Sequence, residues 1–325
     1  NTSTNNSNIN GAIRVQGINI TRDYTGTITK ISGSTSTVTI GTSGYEQATG
    51  TFIGSDANIN LNNGNFTLTD GNFTNSSGNL NFDRNFTISG GTFTNTSKKI
   101  IFDGAEAADD SQITCSSIGG TLEITMSGTA NTTLGINSGC SVSLGASPTI
   151  TLASNASSLI NISGTVTIDS GTSTVNNATA NGNTGNINVL SGGTLTHSGN
   201  GWDMNDVGLV INSGGTTTYS GTNITIDRDF TQSGTFNLSG ITVTFDGNDG
   251  SDDSTISCSG SLGGTVVISK TGTAGSAVTI GSGCTVALGA SPTTRLGRNT
   301  AADLTVNGTL TISTGTWAVV NDTAD

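Results

Sequence analysis

A block of about 95 residues occurs twice in this chain, at an offset of 143 to 144 residues. Asp83-Arg84, Phe102-Asp103-Gly104, Cys115, Gly119-Gly120-Thr121, Cys140 and Ser147-Pro148-Thr149 reappear in order. Their second appearance is Asp227-Arg228, Phe245-Asp246-Gly247, Cys258, Gly263-Gly264-Thr265, Cys284 and Ser291-Pro292-Thr293. The copies span about 83–175 and 227–320, with an unrepeated insert at about 181–222. A fixed period held over so long a stretch marks an architecture built by repetition.

The apolar residues say which architecture. Leu122, Ile124 and Met126 alternate with polar neighbours, as do Val142 with Leu144, Val166 with Ile168 and Leu310 with Ile312. That is the period of strands with one buried face, and no stretch carries a convincing helical period. Only 10% of residues are charged and two are proline, too few of either for a chain kept disordered by its charge. Strands of four to six residues between Gly, Asn and Ser-Gly turns cannot each bury a core, so they must stack. The expected fold is all-β: one continuous parallel β-helix (β-solenoid) over residues 1–325, with coils of about 20 to 25 residues and a length of roughly 60 to 80 Å. Two tandem β-sandwich domains of about 144 residues are the alternative, and the scarcity of large core aromatics in the second copy counts against them. Phe66, Phe73, Phe82, Phe86, Phe93 and Phe102 read as aromatics stacked inside successive rungs.

A net charge of −12 disfavours nucleic acid and anionic membranes as partners, because both need clustered Lys and Arg. No run of eighteen apolar residues exists to span a bilayer, and the polar start Asn1-Thr2-Ser3-Thr4 is no signal peptide. The chain is therefore cytosolic or already freed of an export signal. Cysteine favours the second. Cys115 with Cys140 and Cys258 with Cys284 form two equivalent pairs about one coil apart, without the Cys-x-x-Cys or His spacing of zinc and redox sites. Two disulfides are expected, and with them an extracellular or cell-surface location.

Phrases such as Gly308-Thr309-Leu310-Thr311-Ile312-Ser313, Gly193-Thr194-Leu195-Thr196 and Gly164-Thr165-Val166-Thr167-Ile168 run through nearly the whole chain. In this the chain resembles bacterial β-strand-repeat surface proteins, the filamentous-haemagglutinin and autotransporter-like adhesins. The resemblance is compositional, and it implies a rigid exported scaffold used for adhesion or surface structure.

Catalysis finds little material. His197 is the only histidine and lies in a strand-and-turn segment where a solvated side chain is expected. With Trp202, Asp203 and Asp206 it forms the one candidate ligand patch, in the unrepeated insert. A β-helix polysaccharide lyase or hydrolase would need converging carboxylates with basic and aromatic subsites, and the expectation is of no enzyme. Loops rich in carboxylates precede both cysteine strands. Asp103, Asp109 and Asp110 in one copy and Asp246, Asp249, Asp252 and Asp253 in the other make calcium the candidate cofactor, set against a solvated acidic bulge. Asp83-Arg84 and Asp227-Arg228 read as surface charges or as an ion pair pinning a corner. Asn65, Asn72, Asn85, Asn95, Asn131, Asn161, Asn223 and Asn237 sit in glycosylation sequons.

The expected function is a structural subunit of an extracellular filament, sheath or surface layer, self-assembling head to tail as a homopolymer. A cell-surface adhesin binding glycans is the alternative. The head-to-tail expectation rests on Val320-Asn321-Asp322, where the stretch that leads from copy one to Asn186-Ile187-Asn188 would begin, and on Asn8-Ile9-Asn10-Gly11, which reads like its continuation.

Overall fold

The computed structural model describes residues 4–31, 37–95, 99–104, 110–126, 133–152, 158–177, 185–247, 252–271, 276–297 and 303–321. Every strand pairing among them is parallel, and the strands stack for about a dozen turns in a β-solenoid, roughly 60 Å at 4.8 Å per rung. A typical coil has three sides. Thr194–His197, Gly201–Asn205 and Val207–Ile211 form one coil, and Thr216–Tyr219, Asn223–Ile226 and Phe230–Gln232 form the next, directly beneath. The strands thus form three columns, of which the one in the 17-stranded sheet reaches from Ile13–Ile20 to Leu304–Val306. The unrepeated insert supplies coils of this same stack, continuous with both copies.

Alternation decides what faces inward. In Gly201–Asn205, Trp202 and Met204 are buried while Asp203 and Asn205 look out. Each inward residue lies over its equivalent in the next coil, giving the ladder Leu134, Ile160, Ile187, Leu209, Phe230, Ile256 and Ile280. The phenylalanines stack as their spacing implies. Phe66 lies parallel to Tyr45 and Phe86 with centroids 5.1 and 4.7 Å away, Phe73 stacks on Phe52 and Phe93, and the two stacks meet edge to face. Such pairs add about 1 kcal/mol each to the burial itself.

Outward residues form polar ladders. Asn81, Asn188 and Asn205 each donate their side-chain amide to the asparagine one coil earlier, Asn60, Asn161 and Asn176, at 2.8 to 3.0 Å. Both disulfides are present. Cys115–Cys140 and Cys258–Cys284 close at adjacent coils, with Cα atoms 4.6 and 4.7 Å apart, the spacing of one rung.

One side of the solenoid is interrupted twice, at equivalent places. Strands Thr121–Ile124 and Thr149–Leu152 touch through a lone bridge, Thr125 with Thr151, and Thr265–Ile268 and Thr293–Leu296 through Ser269 with Arg295. Each interruption lies between the two coils that a disulfide joins.

Candidate functional site

The patch expected around His197 is corrected by the structure. His197 and Trp202 are fully enclosed, because both occupy inward positions of their strands: His197 lies beneath Ile168 and above Tyr219, and Trp202 lies beneath Ser173. Ser173 is small where Trp202 is large, and its hydroxyl meets His197 Nε2 at 2.6 Å. The backbone N–H of Gly199 donates to Nδ1 at 2.9 Å, so Nε2 carries the proton and donates to Ser173 Oγ. That direction is opposite to the one by which a histidine activates a serine nucleophile.

Burial, the largest cause, lowers the His197 pKa to about 4 against minor opposing hydrogen bonds. A histidine neutral when folded and charged when unfolded stabilises fully above pH 6.5, and that stability drains as pH falls toward 4. The window corresponds to about 3 kcal/mol. The expected result is that the stability difference between the wild type and His197→Gln, measured by denaturant titration, narrows by about this amount from pH 7 to pH 4. Parallel curves would refute it.

The chemically richest cluster lies at a corner between two sides of the solenoid, built by the second copy and the insert above it. Arg228, buried to 4% exposure, donates to Asp206 Oδ1 at 2.8 Å and lies 3.6 Å from Asp252 Oδ1. Arg228 of the Asp227-Arg228 pair is no surface charge, and the partners with which it pins the corner are Asp206 and Asp252. Asp206 holds a left-handed backbone, φ 57°, a conformation short polar side chains tolerate, and its N–H donates to Asp227 Oδ2. Asn63, one coil before copy one, does the same: φ is 57°, its N–H donates to Asp83 Oδ2, and its amide oxygen accepts from Arg84.

Lys270 is the residue that a reading by residue type did not single out. Its ammonium is enclosed and donates to the backbone oxygens of Asp227 and Asp252 at 2.8 and 2.6 Å and to Ser254 Oγ at 2.8 Å. Burial holds its pKa down at about 8 against the pull of Asp227, Asp252 and Asp246. Burial first, then a hydrogen bond and repulsion from Asp246, push the Asp227 carboxyl up to about 8. Burial and then Asp246 also raise Asp203. One signal could have found Lys270: it follows Val266 and Ile268 at alternate positions, so it must point inward, and its counterpart in copy one is the buried Met126.

The calcium set is divided by the fold. Asp110 Oδ1 accepts from the Thr133 N–H and Asp253 Oδ1 from the Ala277 N–H, both at 2.6 Å, so these two tie neighbouring coils together. Asp252 turns into the corner, Asp246 faces Asp227, and Asp103 follows its strand as Asp246 does; Asp109 and Asp249 lie outside the described residues. Oxygens of Asp206, Asp227 and Asp252 do lie within 4.8 Å of one another. The Arg228 guanidinium and the Lys270 ammonium stand among them, so the corner carries its own cations.

Among the sequons, Asn72 and Asn223 are exposed, and Asn237 is exposed with its Oδ1 accepting from Ser239. Asn65, Asn85, Asn95 and Asn161 accept hydrogen bonds across coils, and Asn131 lies outside the described residues.

Comparison with protein-family models, curated proteins and solved structures returns no match. What these clusters do therefore rests on their geometry. The histidine is sealed in the core, and the charged groups of the corner engage one another across neighbouring coils.

Proposed function

We propose that this chain is a non-enzymatic structural rod of an extracellular assembly, a filament, sheath or surface layer, in which copies stack head to tail. The observation that carries the reading is a cluster of exposed apolar side chains on and beside Leu304–Val306, Thr309–Thr311 and Ala318–Asn321. Apart from Ile31, the large apolar side chains exposed among the described residues are Val306, Ile312, Trp317, Val319 and Val320, with Val319 the most open at 53%. A further coil laid on these strands in parallel would cover that cluster, and in this proposal Ser7–Ile9 and Ile13–Ile20 of a second copy supply it. Two disulfides support an oxidising location, and no described helix is long and apolar enough to cross a membrane.

Negative-stain electron microscopy of the purified protein tests this. Filaments several rod-lengths long are expected, dissolving into single rods when Val319 and Val320 are changed to Glu and Lys. Wild-type protein that stays as single rods at every concentration would refute the proposal.

A further inference from the structure

Each interruption in the solenoid wall opens a wedge, about 400 Å³ in the first copy and about 340 Å³ in the second. The cause is legible residue by residue. Extending the Thr125–Thr151 register places Pro148 opposite Leu122, and extending Ser269–Arg295 places Pro292 opposite Val266. These are the two prolines of the chain, and proline has no N–H to give the neighbouring strand. Each follows a serine in the left-handed region, Ser147 at φ 49° and Ser291 at φ 45°, which turns the incoming chain away from the ladder. The strand leading into Ser147 also bulges, at Ser143 to Ala146.

What the wedge leaves open is backbone. Met126 donates its N–H to Thr151 O at 2.9 Å, and Lys270 donates to Arg295 O at 3.1 Å. Strand alternation then aims the backbone groups of Leu122 and Ile124, and of Val266 and Ile268, toward the same gap. Beyond the bridges Thr125–Thr151 and Ser269–Arg295, no ladder pairing joins the two strands across either gap among the described residues. The side chains common to both rims are short and uncharged: Thr121 and Thr149 with Ala146, repeated as Thr265, Thr293 and Ala290. The charges at the first wedge, Lys99 and Glu123, pair with each other. Neither wedge has the aromatic platform that sugar rings stack on.

We propose that the two wedges are acceptor sites for an extended, uncharged peptide segment with short side chains, bound by strand addition. A row of outward N–H and C=O groups on a sheet edge is the ligand-reading element of that recognition mode. Four residues of strand measure about 13 Å, the length of Thr121–Ile124. The adjacent disulfides, Cys115–Cys140 and Cys258–Cys284, hold the two coils together so that the gap persists without collapsing. Six coils separate the wedges on one side of the rod, about 29 Å, so a partner presenting two such segments would gain avidity.

The test uses the whole chain and the peptide acetyl-Thr-Val-Thr-Val-Thr-amide in isothermal titration calorimetry. Two sites per chain are expected. Ala146→Tyr and Ala290→Tyr, at exposed positions on the rims, should each remove one site, and the double variant both. On wild-type protein, the same peptide N-methylated at alternate residues should bind at least tenfold more weakly, which keeps the proposal testable if a variant misfolds. Absence of peptide binding, binding indifferent to both substitutions and N-methylation, or saturable binding of an N-acetylglucosamine tetramer that Ala146→Tyr abolishes would each overturn it.

Discussion

Replacing all four cysteines with alanine is expected to lower the unfolding free energy by about 7 kcal/mol. The bonded residues are 25 and 26 positions apart, and closing loops of that size contributes about 3.5 kcal/mol each in the chain-entropy description. The two junctions are well separated along the rod, so their effects should add. The consequence should also be local. In a stack where each coil touches only its neighbours, stability is the sum of coil terms and junction terms, and the weakest junction sets where the stack parts. Both disulfides bridge the very coils whose ladder is interrupted by Pro148 and Pro292. Without the covalent link those junctions keep few ladder bonds on that side, and the rod should open there first. Hydrogen exchange should then show protection falling in 133–152 and 276–297 well before the Phe-rich coils around Phe66 to Phe93. A four-alanine variant within 1 kcal/mol of the wild type, or one that loses protection evenly, would contradict this.

The period-two pattern and the duplication carried the fold, because each strand buries one face and a parallel stack repeats that face at every rung. They also carried the cysteine pairing, since one coil of separation brings the two sulfurs to neighbouring rungs. His197 and Lys270 escape a reading by residue type for one reason: their chemistry suggests solvent, and their parity dictates the core. Leu195 with His197, and Val266 and Ile268 with Lys270, lie on the inward face, and parity alone puts all of them inside. The partners they find there come from other coils, Ser173 from 24 residues earlier and the backbone of Asp227 from 43 residues earlier. Such contacts depend on coil length, and coil length here varies with turns that the strand pattern does not specify. The same holds for the wedges. Ser147-Pro148 and Ser291-Pro292 are conspicuous in the sequence, but only the register of the neighbouring strand shows that each proline faces a backbone group it cannot satisfy.

Arg228→Met is expected to cost about 3 to 5 kcal/mol at pH 7, the usual effect of removing one partner from a buried ion pair. The guanidinium is nearly inaccessible and is shared between Asp206 and Asp252, with Asp227 and Asp246 close behind. Burial and the hydrogen-bonded Asp246 hold the Asp227 carboxyl well above the usual carboxylate range, so the Asp227–Asp246 pair carries less than its full negative charge near neutrality. The substitution removes the partner that Asp206 and Asp252 share, leaving the Lys270 ammonium to oppose the carboxylates of the corner. Methionine fills comparable space, as the buried Met126 does at the counterpart of Lys270, so the loss reports charge more than volume. Protonation then supplies the control. With the guanidinium gone, the remaining carboxyls should bind protons more readily than in the wild type, and the deficit should shrink as pH falls from 7 toward 4. Denaturant titrations of both proteins across that range measure it directly. A deficit that stays constant with pH would mean that Arg228 acts by packing its stem, and that the corner is not the charge-compensated clamp its geometry describes.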